Sequence, residues 1–294
     1  MHHFKLAKLG LAAAAVFAAS MASAAPVSTW GYSVDSWFSD GTNPGAPAAN
    51  SSGGGVGQTA GDGTTLFTPS RTSGAAAPAD ADSGWSISAK ELSWGRQNGS
   101  IDAGTRSGLR ITDAPKNGTV DTGGAFVAAN TYTHFNGASL GADSWTLKNT
   151  RIDAVLSLTA PGTSQVFKTS YTVDFVETPN RLAGCPTPGD AVLCSDIFVI
   201  FGSLGAPFNY DGYDYTFVFN SPNFNLNDDQ CILAGKSPGC LGFSTAERAN
   251  TPVQFEFALT ATPSEVPEPA SIALLGLGLL GLAGVRARKQ KNKA

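Results

Sequence analysis

Histidine and methionine are scarce in this sequence of 294 residues, which contains three His and two Met. Charge is also sparse, since only 14% of the residues are Asp, Glu, Lys or Arg. All of the His and Met residues except His134 lie in the first 24 positions. A zinc site built from several histidines in the body of the chain is therefore excluded, and any Ser-His-Asp triad or Cys-His dyad has to use His134.

Both ends of the chain have the composition of sorting segments. Residues 1–24 combine a basic start, an apolar run from Leu9 to Met21 and the cleavage site Ala22-Ser23-Ala24, which is the pattern of a secretory signal peptide. A buried N-terminal helix is the alternative. Ala270 to Val285 has no charged residue and precedes a basic tail, which predicts a C-terminal transmembrane helix with its tail in the cytoplasm. The chain between these segments is expected outside the cytoplasm.

The exported part is more acidic than the whole chain. The formal net charge of the chain is −4, but residues 25–266 keep 12 basic and 22 acidic residues, a balance of −10. A nucleic-acid binder needs a basic face, so we predict no nucleic-acid partner. The same balance argues against adhesion to anionic lipid.

The four cysteines form two pairs that are close in sequence, Cys185 with Cys194 and Cys231 with Cys240. An even number of cysteines in an exported chain is typical of disulfide bonds. Four cysteines allow three connectivities, and proximity favours Cys185–Cys194 with Cys231–Cys240. A four-cysteine metal site is the alternative, although its paired cysteines are usually separated by only two to four residues.

Alternation of apolar and polar residues predicts β-strands along most of the chain. The interior shows no convincing helical spacing. Short strands with one apolar face, separated by Gly and Pro, predict an all-β fold, an antiparallel β-sandwich or jelly roll followed by the C-terminal transmembrane helix. The strand pattern covers residues 30–38, 85–94, 152–158, 167–175, 197–201, 213–219 and 253–259.

A change of composition suggests the domain organisation. Between Asp40 and Gly84, 34 of 45 residues are Gly, Ala, Pro, Ser or Thr, which is typical of long loops. Asn98-Gly99 and Asn117-Gly118 predict turns, because both residue types tolerate positive φ. We predict a signal peptide at 1–24, a strand plus this loop segment at 25–84, the sandwich domain at 85–262 and a sorting segment at 263–294.

The C-terminal segment resembles the PEP-CTERM sorting signal. The motif Val266-Pro267-Glu268-Pro269 is followed by the apolar run and then by the basic tail, in the required order. The resemblance implies recognition by an exosortase, a membrane enzyme of Gram-negative bacteria that make exopolysaccharide. It also implies processing near the motif and delivery to the cell surface or matrix. A plain single-span anchor is the alternative.

The body of the chain resembles the THxN family of PEP-CTERM proteins. The signature is Thr133-His134-Phe135-Asn136. Its supporting motifs lie in order along the chain: Leu92-Ser93-Trp94-Gly95, Ser107-Gly108-Leu109, Glu177-Thr178-Pro179-Asn180 and Asp196-Ile197. The resemblance implies no assigned activity. We expect Thr133, His134 and Asn136 to have a structural role, in which short polar side chains hydrogen-bond nearby backbone. A ligand contact or a general base at His134 is the alternative.

Carboxylates are the other candidates for chemistry. Glu177 and Asp196 flank the first cysteine pair, so closing that loop would bring them together, and with Asn180 they could bind Ca²⁺ through oxygen. Two carboxylates could instead serve as the acid and base of a glycosidase. Residues 209–214 and 227–229 have the composition of calcium loops, but solvated turns are the favoured interpretation. We predict no cofactor, with calcium as the one metal considered.

These features together predict a non-catalytic protein of the cell surface or extracellular matrix. Its expected partners are an exosortase during sorting, the inner membrane transiently through residues 270–285, and exopolysaccharide. A carbohydrate- or calcium-binding surface module is the alternative, and a hydrolase ranks third. The aromatic stripe at Tyr213, Tyr215, Phe217 and Phe219 could stack on sugars, but its alternation favours a place in the core.

Overall fold

The computed structural model of the chain describes residues 25–39, 45–54, 65–69, 82–137, 144–178, 195–202 and 207–264. Within these ranges the chain forms fifteen strands and one short helix. The strands are β1 (Thr29–Phe38), β2 (Ser51–Gly54), β3 (Leu66–Pro69), β4 (Ser83–Ile87), β5 (Glu91–Arg96), β6 (Arg106–Thr112), β7 (Lys116–Asp121), β8 (Val127–Phe135), β9 (Trp145–Ala160), β10 (Thr163–Val176), β11 (Asp196–Gly202), β12 (Phe208–Tyr210), β13 (Tyr213–Asn220), β14 (Gly242–Thr245) and β15 (Asn250–Pro263), and the helix is α1 (Asp228–Leu233).

Packing divides the chain into two units. The larger contains residues 27–207 and 216–260, and the described part of the smaller contains residues 25–26, 208–215 and 261–264. In the smaller unit β12 pairs with the start of β13, and Phe208 stacks on Tyr215 with ring centroids 4.9 Å apart. The backbone N–H of Ser264 donates to Gly212 O at 2.9 Å. The last described residue is therefore held at the hairpin turn.

The larger unit is built from two antiparallel sheets. One has the order β14-β11-β10-β9-β1-β7, with β3 paired to β9, and the other has the order β13-β15-β8-β6-β5-β4-β2. Aromatic contacts join the two sheets: Tyr32 on β1 meets Phe257 on β15 edge to face at 5.0 Å, and Trp94 on β5 meets Phe175 on β10 at 5.2 Å. The predicted antiparallel β-sandwich is confirmed.

Period-2 patterning explains why these segments are strands. Along β1 every second side chain from Trp30 to Phe38 is buried, and the alternate positions are half-buried. Because successive side chains of a strand point to opposite faces, this pattern directs one face to the core. Burial of each large apolar side chain contributes about 1.5–3 kcal/mol. Tyr215 and Phe217 are likewise buried, so the aromatic stripe belongs to the core at those positions, as predicted.

One turn prediction is confirmed and another is wrong. Gly99 lies in a turn after β5, where its N–H donates to Arg96 O at 3.0 Å. Asn117-Gly118 instead lies inside β7 and pairs with Ser33 and Tyr32 of β1. A Cβ at Gly118 would lie 2.9 Å from the Tyr32 ring, so a close approach, not a turn, explains this glycine.

The sequence also failed to indicate α1, because six residues are too few to establish a helical period. A capping box begins the helix: Asn227 accepts from the Gln230 backbone N–H, and the Gln230 side chain accepts from the Asn227 N–H. Asn227, Asp228 and Asp229 are therefore solvent-exposed, as expected, but they begin a helix instead of forming a turn.

Several predictions concern residues outside the described ranges. These are the signal peptide at 1–24, the Cys185–Cys194 pair, Asn180, the motif Val266 to Pro269 and the apolar segment 270–285. In the described part of the chain, no helix has the length and apolar character needed to cross a membrane.

Candidate functional site

His134 lies in a box of aromatic side chains between the sheets. It is near the end of β8, is 0% exposed, and stacks on Trp94 with ring centroids 5.8 Å apart. The edges of Phe175 and Phe198 complete the box at 5.7 and 4.9 Å. Nδ1 is 2.8 Å from Thr245 Oγ1, whereas the buried Nε2 has no hydrogen-bond partner. Burial lowers the pKa of His134 to about 3, so the imidazole is neutral at physiological pH.

Asn136, which also belongs to the signature and faces inward, forms hydrogen bonds with two acidic side chains. Its Nδ2 donates to Asp196 Oδ2 at 2.8 Å and to Glu247 Oε2 at 3.3 Å. Its backbone N–H donates to Ala249 O at 3.1 Å, which ties the end of β8 to the turn between β14 and β15. Asn136 is only 6% exposed, and its Oδ1 is buried with no hydrogen-bond partner.

Glu177, Asp196 and Glu247 form what we call the carboxyl cluster. Asp196 begins β11, is 1% exposed, and accepts the Thr178 N–H on Oδ1 at 3.0 Å. Glu177 directly follows β10; its Oε2 accepts from Thr146 Oγ1 at 3.3 Å, and its Oε1 is buried without a hydrogen-bond partner. The three carboxyl groups come from different segments, where the two sheets approach each other.

Burial and mutual repulsion disfavour the charged forms of these carboxyl groups. Burial, followed by the charge of Glu247, raises the pKa of Glu177 to about 8, although the Thr146 hydroxyl and the Trp94 indole act in the opposite direction. Burial and the charges of Glu177 and Glu247 raise the pKa of Asp196. Burial also raises the pKa of Glu247 to about 7, although the Asn136 amide and Arg248 act in the opposite direction. Like charges confined at low dielectric favour retention of a proton.

Some of the site residues predicted from the sequence lie close together in the structure. Glu177 and Asp196 lie near each other because Val176 of β10 pairs with Ile197 of β11, whereas the first cysteine pair lies outside the described ranges. The motifs around Trp94, Ser107, His134 and Asp196 converge on one place. Ser107 contributes through its hydroxyl, which accepts the Gly137 N–H at 3.0 Å. Thr133 lies on β8 between Arg110 of β6 and Pro252 of β15 and is half-buried.

Two important partners were missed in the sequence. Thr245 contacts His134, and Glu247 completes the carboxyl cluster, yet both lie 111 positions from their partners. No local pattern around Glu247 could have indicated this contact, because only the crossing from β14 to β15 brings the turn to the end of β8.

The acidic cluster does not have the spacing of a metal centre. Among the described residues, no group of three or more His, Cys, Asp or Glu side chains is arranged to hold a metal ion. Asn136 also points N–H groups, rather than its carbonyl oxygen, at Asp196 and Glu247. In this arrangement the Asn136 amide donates hydrogen bonds to the carboxyl groups of Asp196 and Glu247.

The second predicted disulfide, Cys231–Cys240, is present, and its two Cα atoms are 5.8 Å apart. It links α1 to the segment before β14, and Cys231 is completely buried. Lys236, within the closed loop, pairs with Asp174 at 2.8 Å and lies over the Phe201 ring. The loop that the disulfide closes is therefore attached to β10 and β11 through Lys236.

Comparison with known families identifies the C-terminal segment. Residues 265–289 match the family described as the PEP-CTERM protein-sorting motif. The chain thus carries this motif, which indicates an exported protein that passes the membrane and is sorted by an exosortase. A comparison with curated proteins finds no match.

Proposed function

We propose that the chain is a non-catalytic protein of the cell surface or extracellular matrix of a Gram-negative bacterium, built on a THxN-type β-sandwich. The observation that carries this proposal is the PEP-CTERM motif at residues 265–289, which begins one residue after the last described residue of the folded part. An exosortase would recognise this segment and release the sandwich from its membrane anchor.

The burial of the candidate chemical groups supports a structural role. His134 and Asp196 are 0% and 1% exposed, so a macromolecular substrate has no direct access to either side chain. The signature residues instead connect strands: Asn136 joins β8 to the start of β11 and to the turn before β15. A site of this kind fixes the fold at the junction of two sheets.

Sorting is tested by changing Pro267-Glu268-Pro269 to Ala in the full chain and fractionating the cells. We expect the variant to remain in the inner membrane with its basic tail attached, as shown by intact-mass analysis. The matched control is Pro263→Ala, which changes a proline of β15 outside the motif. If the motif variant matured normally, exosortase sorting would be wrong and the single-span anchor would replace it.

Binding of exopolysaccharide is the second candidate function. A groove of about 380 Å³ lies beside β2 and β4 and is lined mainly by hydroxyl and amide groups, with Glu91 at one side. Its lining residues are Asn50, Ser51, Ser52, Ser86, Ile87, Ser88 and Glu91. Small-molecule sites have volumes of about 300–1,000 Å³, so this groove is large enough for a small ligand, and its hydroxyl and amide groups could hydrogen-bond sugar hydroxyls. Titration with purified exopolysaccharide, repeated with Ser52→Trp to fill the groove, tests this binding.

A further inference from the structure

The carboxyl cluster has hydrogen-bond donors but no ion-pair partner for its two most buried members. Asp196 receives the Thr178 N–H on one oxygen and the Asn136 amide on the other. Glu177 receives one hydroxyl on Oε2, and its second oxygen is buried without a hydrogen bond. Among the described residues, no ion pair includes Glu177 or Asp196.

The charged side chains on the surrounding strands are engaged elsewhere. Arg106 on β6 donates to Ser93 O, its Nε is buried without a hydrogen-bond partner, and the charge that acts on it is that of Glu91. Asp174 on β10 pairs with Lys236. Arg110 pairs with Glu91 and Asp102, and Arg151 pairs with Asp153 on β9. The other charged or titratable groups on these strands are the exposed Lys148 and Lys168, the half-buried Glu256, and the buried His134, Tyr132 and Tyr171.

Arg248 is the cation closest to the cluster in sequence. It follows Glu247, has a positive φ of 55° and is exposed to solvent. Its charge acts on Glu247, where water screens it, and it does not appear among the groups that act on Glu177 or Asp196. If Glu177 and Asp196 were both ionised, neither would therefore have a compensating ion pair among the described residues.

We propose that Glu177, Asp196 and Glu247 form a proton-binding site that holds at least one proton at neutral pH, and that loss of this proton loosens the junction of β8, β10, β11 and the β14–β15 turn. The bound proton lets a carboxylic acid O–H face a neighbouring carboxylate, so that two acidic groups repel less. Charging the cluster reverses this and pushes apart the segments that Asn136 holds together.

The direction of the pH effect follows from the proton balance. In the unfolded chain the two glutamates titrate near their ordinary value of 4.5, whereas in the folded chain the pKa is about 7 for Glu247 and about 8 for Glu177. Between these limits the folded state binds more protons than the unfolded state, so stability falls as the pH rises. Most solvent-exposed, ion-paired carboxylates produce the opposite slope.

The test is a series of thermal melts of the full chain in detergent and EDTA between pH 6.5 and pH 9. Above about pH 7.5 His134 is neutral in both the folded and the unfolded chain and adds no slope. We expect the melting temperature to fall by about 5 °C across this range. Glu247→Gln keeps an acceptor for Asn136 and removes one charge, so it should flatten the slope and raise the melting temperature at pH 9. Glu91→Gln, at a carboxylate paired with Arg110, is the matched control and should leave the slope unchanged.

Two results would overturn the proposal. One is an equal slope in the parent and Glu247→Gln. The other is a rise in melting temperature on adding Ca²⁺ at pH 9 that disappears in Glu247→Gln, because the charged cluster would then be a cation site. If Glu247→Gln does not fold, the infrared carbonyl band of protonated carboxyl groups decides the matter in the parent chain. That band should be present at pH 6.5 and lost at pH 9, and its absence at pH 6.5 would exclude a bound proton.

Discussion

The imidazole of His134 stacks on the indole of Trp94, with the two rings within 14° of parallel and their centroids 5.8 Å apart. Trp94 belongs to β5 and His134 to β8, and Leu109 of β6, which lies between them, pairs with His134. The contact therefore spans three neighbouring strands of one sheet. It covers one face of the imidazole, which is fully buried.

Replacing His134 tests whether this box is structural. His134→Ala should cost about 1–3 kcal/mol of unfolding free energy, because it leaves Thr245 Oγ1 without this contact and opens a void among aromatic rings. His134→Gln should cost less, since its amide can still reach the hydroxyl. Thermal melts with intact disulfides measure both. If His134→Ala melted within about a degree of the parent, the structural role would be wrong and a functional role would become the better hypothesis.

We also expect His134 to make the stability of the folded chain depend on pH under acidic conditions. Burial lowers the pKa of His134 to about 3 in the folded chain, whereas the unfolded chain binds a proton near pH 6.5. Between these values the unfolded state holds more protons, so the His134 contribution to stability falls as the pH is lowered. We expect about 1 kcal/mol of loss between pH 6 and pH 5.

The carboxyl cluster acts in the opposite direction over this range, so the difference between parent and His134→Gln isolates the histidine. Denaturant melts of both proteins at pH 5, 6 and 7 measure it. The gap between them should shrink as the pH falls, and a constant gap would show that the buried histidine does not control this slope.

Local patterns in the sequence predicted six strands, but the single strand expected over 85–94 is the hairpin of β4 and β5, and the partners of the site were not indicated. The six are β1, β9, β10, β11, β13 and β15. Alternation within β1 or β10 is readable because it depends on neighbours two positions apart. The Asn117-Gly118 error shows the limit, since a glycine required by the Tyr32 ring has the same local signature as a turn glycine. Glu247 could not be found at all, because its contact with Asn136 depends on how β14 leads into β15.

The disulfides give a third prediction. Cys231 and Cys240 are separated by nine positions, and closing a loop of that size stabilises the folded chain by about 2.5–3 kcal/mol in the chain-entropy model. Replacing both cysteines by serine should lower stability by about this amount and loosen α1, including the Lys236–Asp174 pair. Urea unfolding of the double variant measures the loss. Lys236→Gln is a control that removes the ion pair and keeps the disulfide.

The pairing itself is checked by peptide mapping without reduction. The linkage Cys231–Cys240 should appear, and the sequence predicts Cys185–Cys194 as the other linkage. A crossed linkage or free thiols at positions 185 and 194 would contradict that pairing.

The last prediction concerns Asn136, whose side-chain N–H groups lie between two acids. Asn136→Asp keeps the shape of the side chain but replaces both donors with a fourth acidic group beside Asp196 and Glu247. Asn136→Ala removes the donors without adding charge. Because a new buried charge adds repulsion to the lost hydrogen bonds, Asn136→Asp should destabilise the chain more than Asn136→Ala at pH 8, by about 2 kcal/mol or more.

The pH dependence of the two variants distinguishes an effect of charge at position 136 from an effect of side-chain shape. At pH 5 the added carboxyl can bind a proton and donate a hydrogen bond, so Asn136→Asp should recover much of its loss, whereas Asn136→Ala should not. Denaturant melts of both variants at pH 5 and pH 8 provide the comparison, with Asn209→Asp as a control at an exposed amide. If both Asn136 variants lost equal stability at the two pH values, the amide would be fixing geometry alone, and the charge of the carboxyl cluster would have no part in its role.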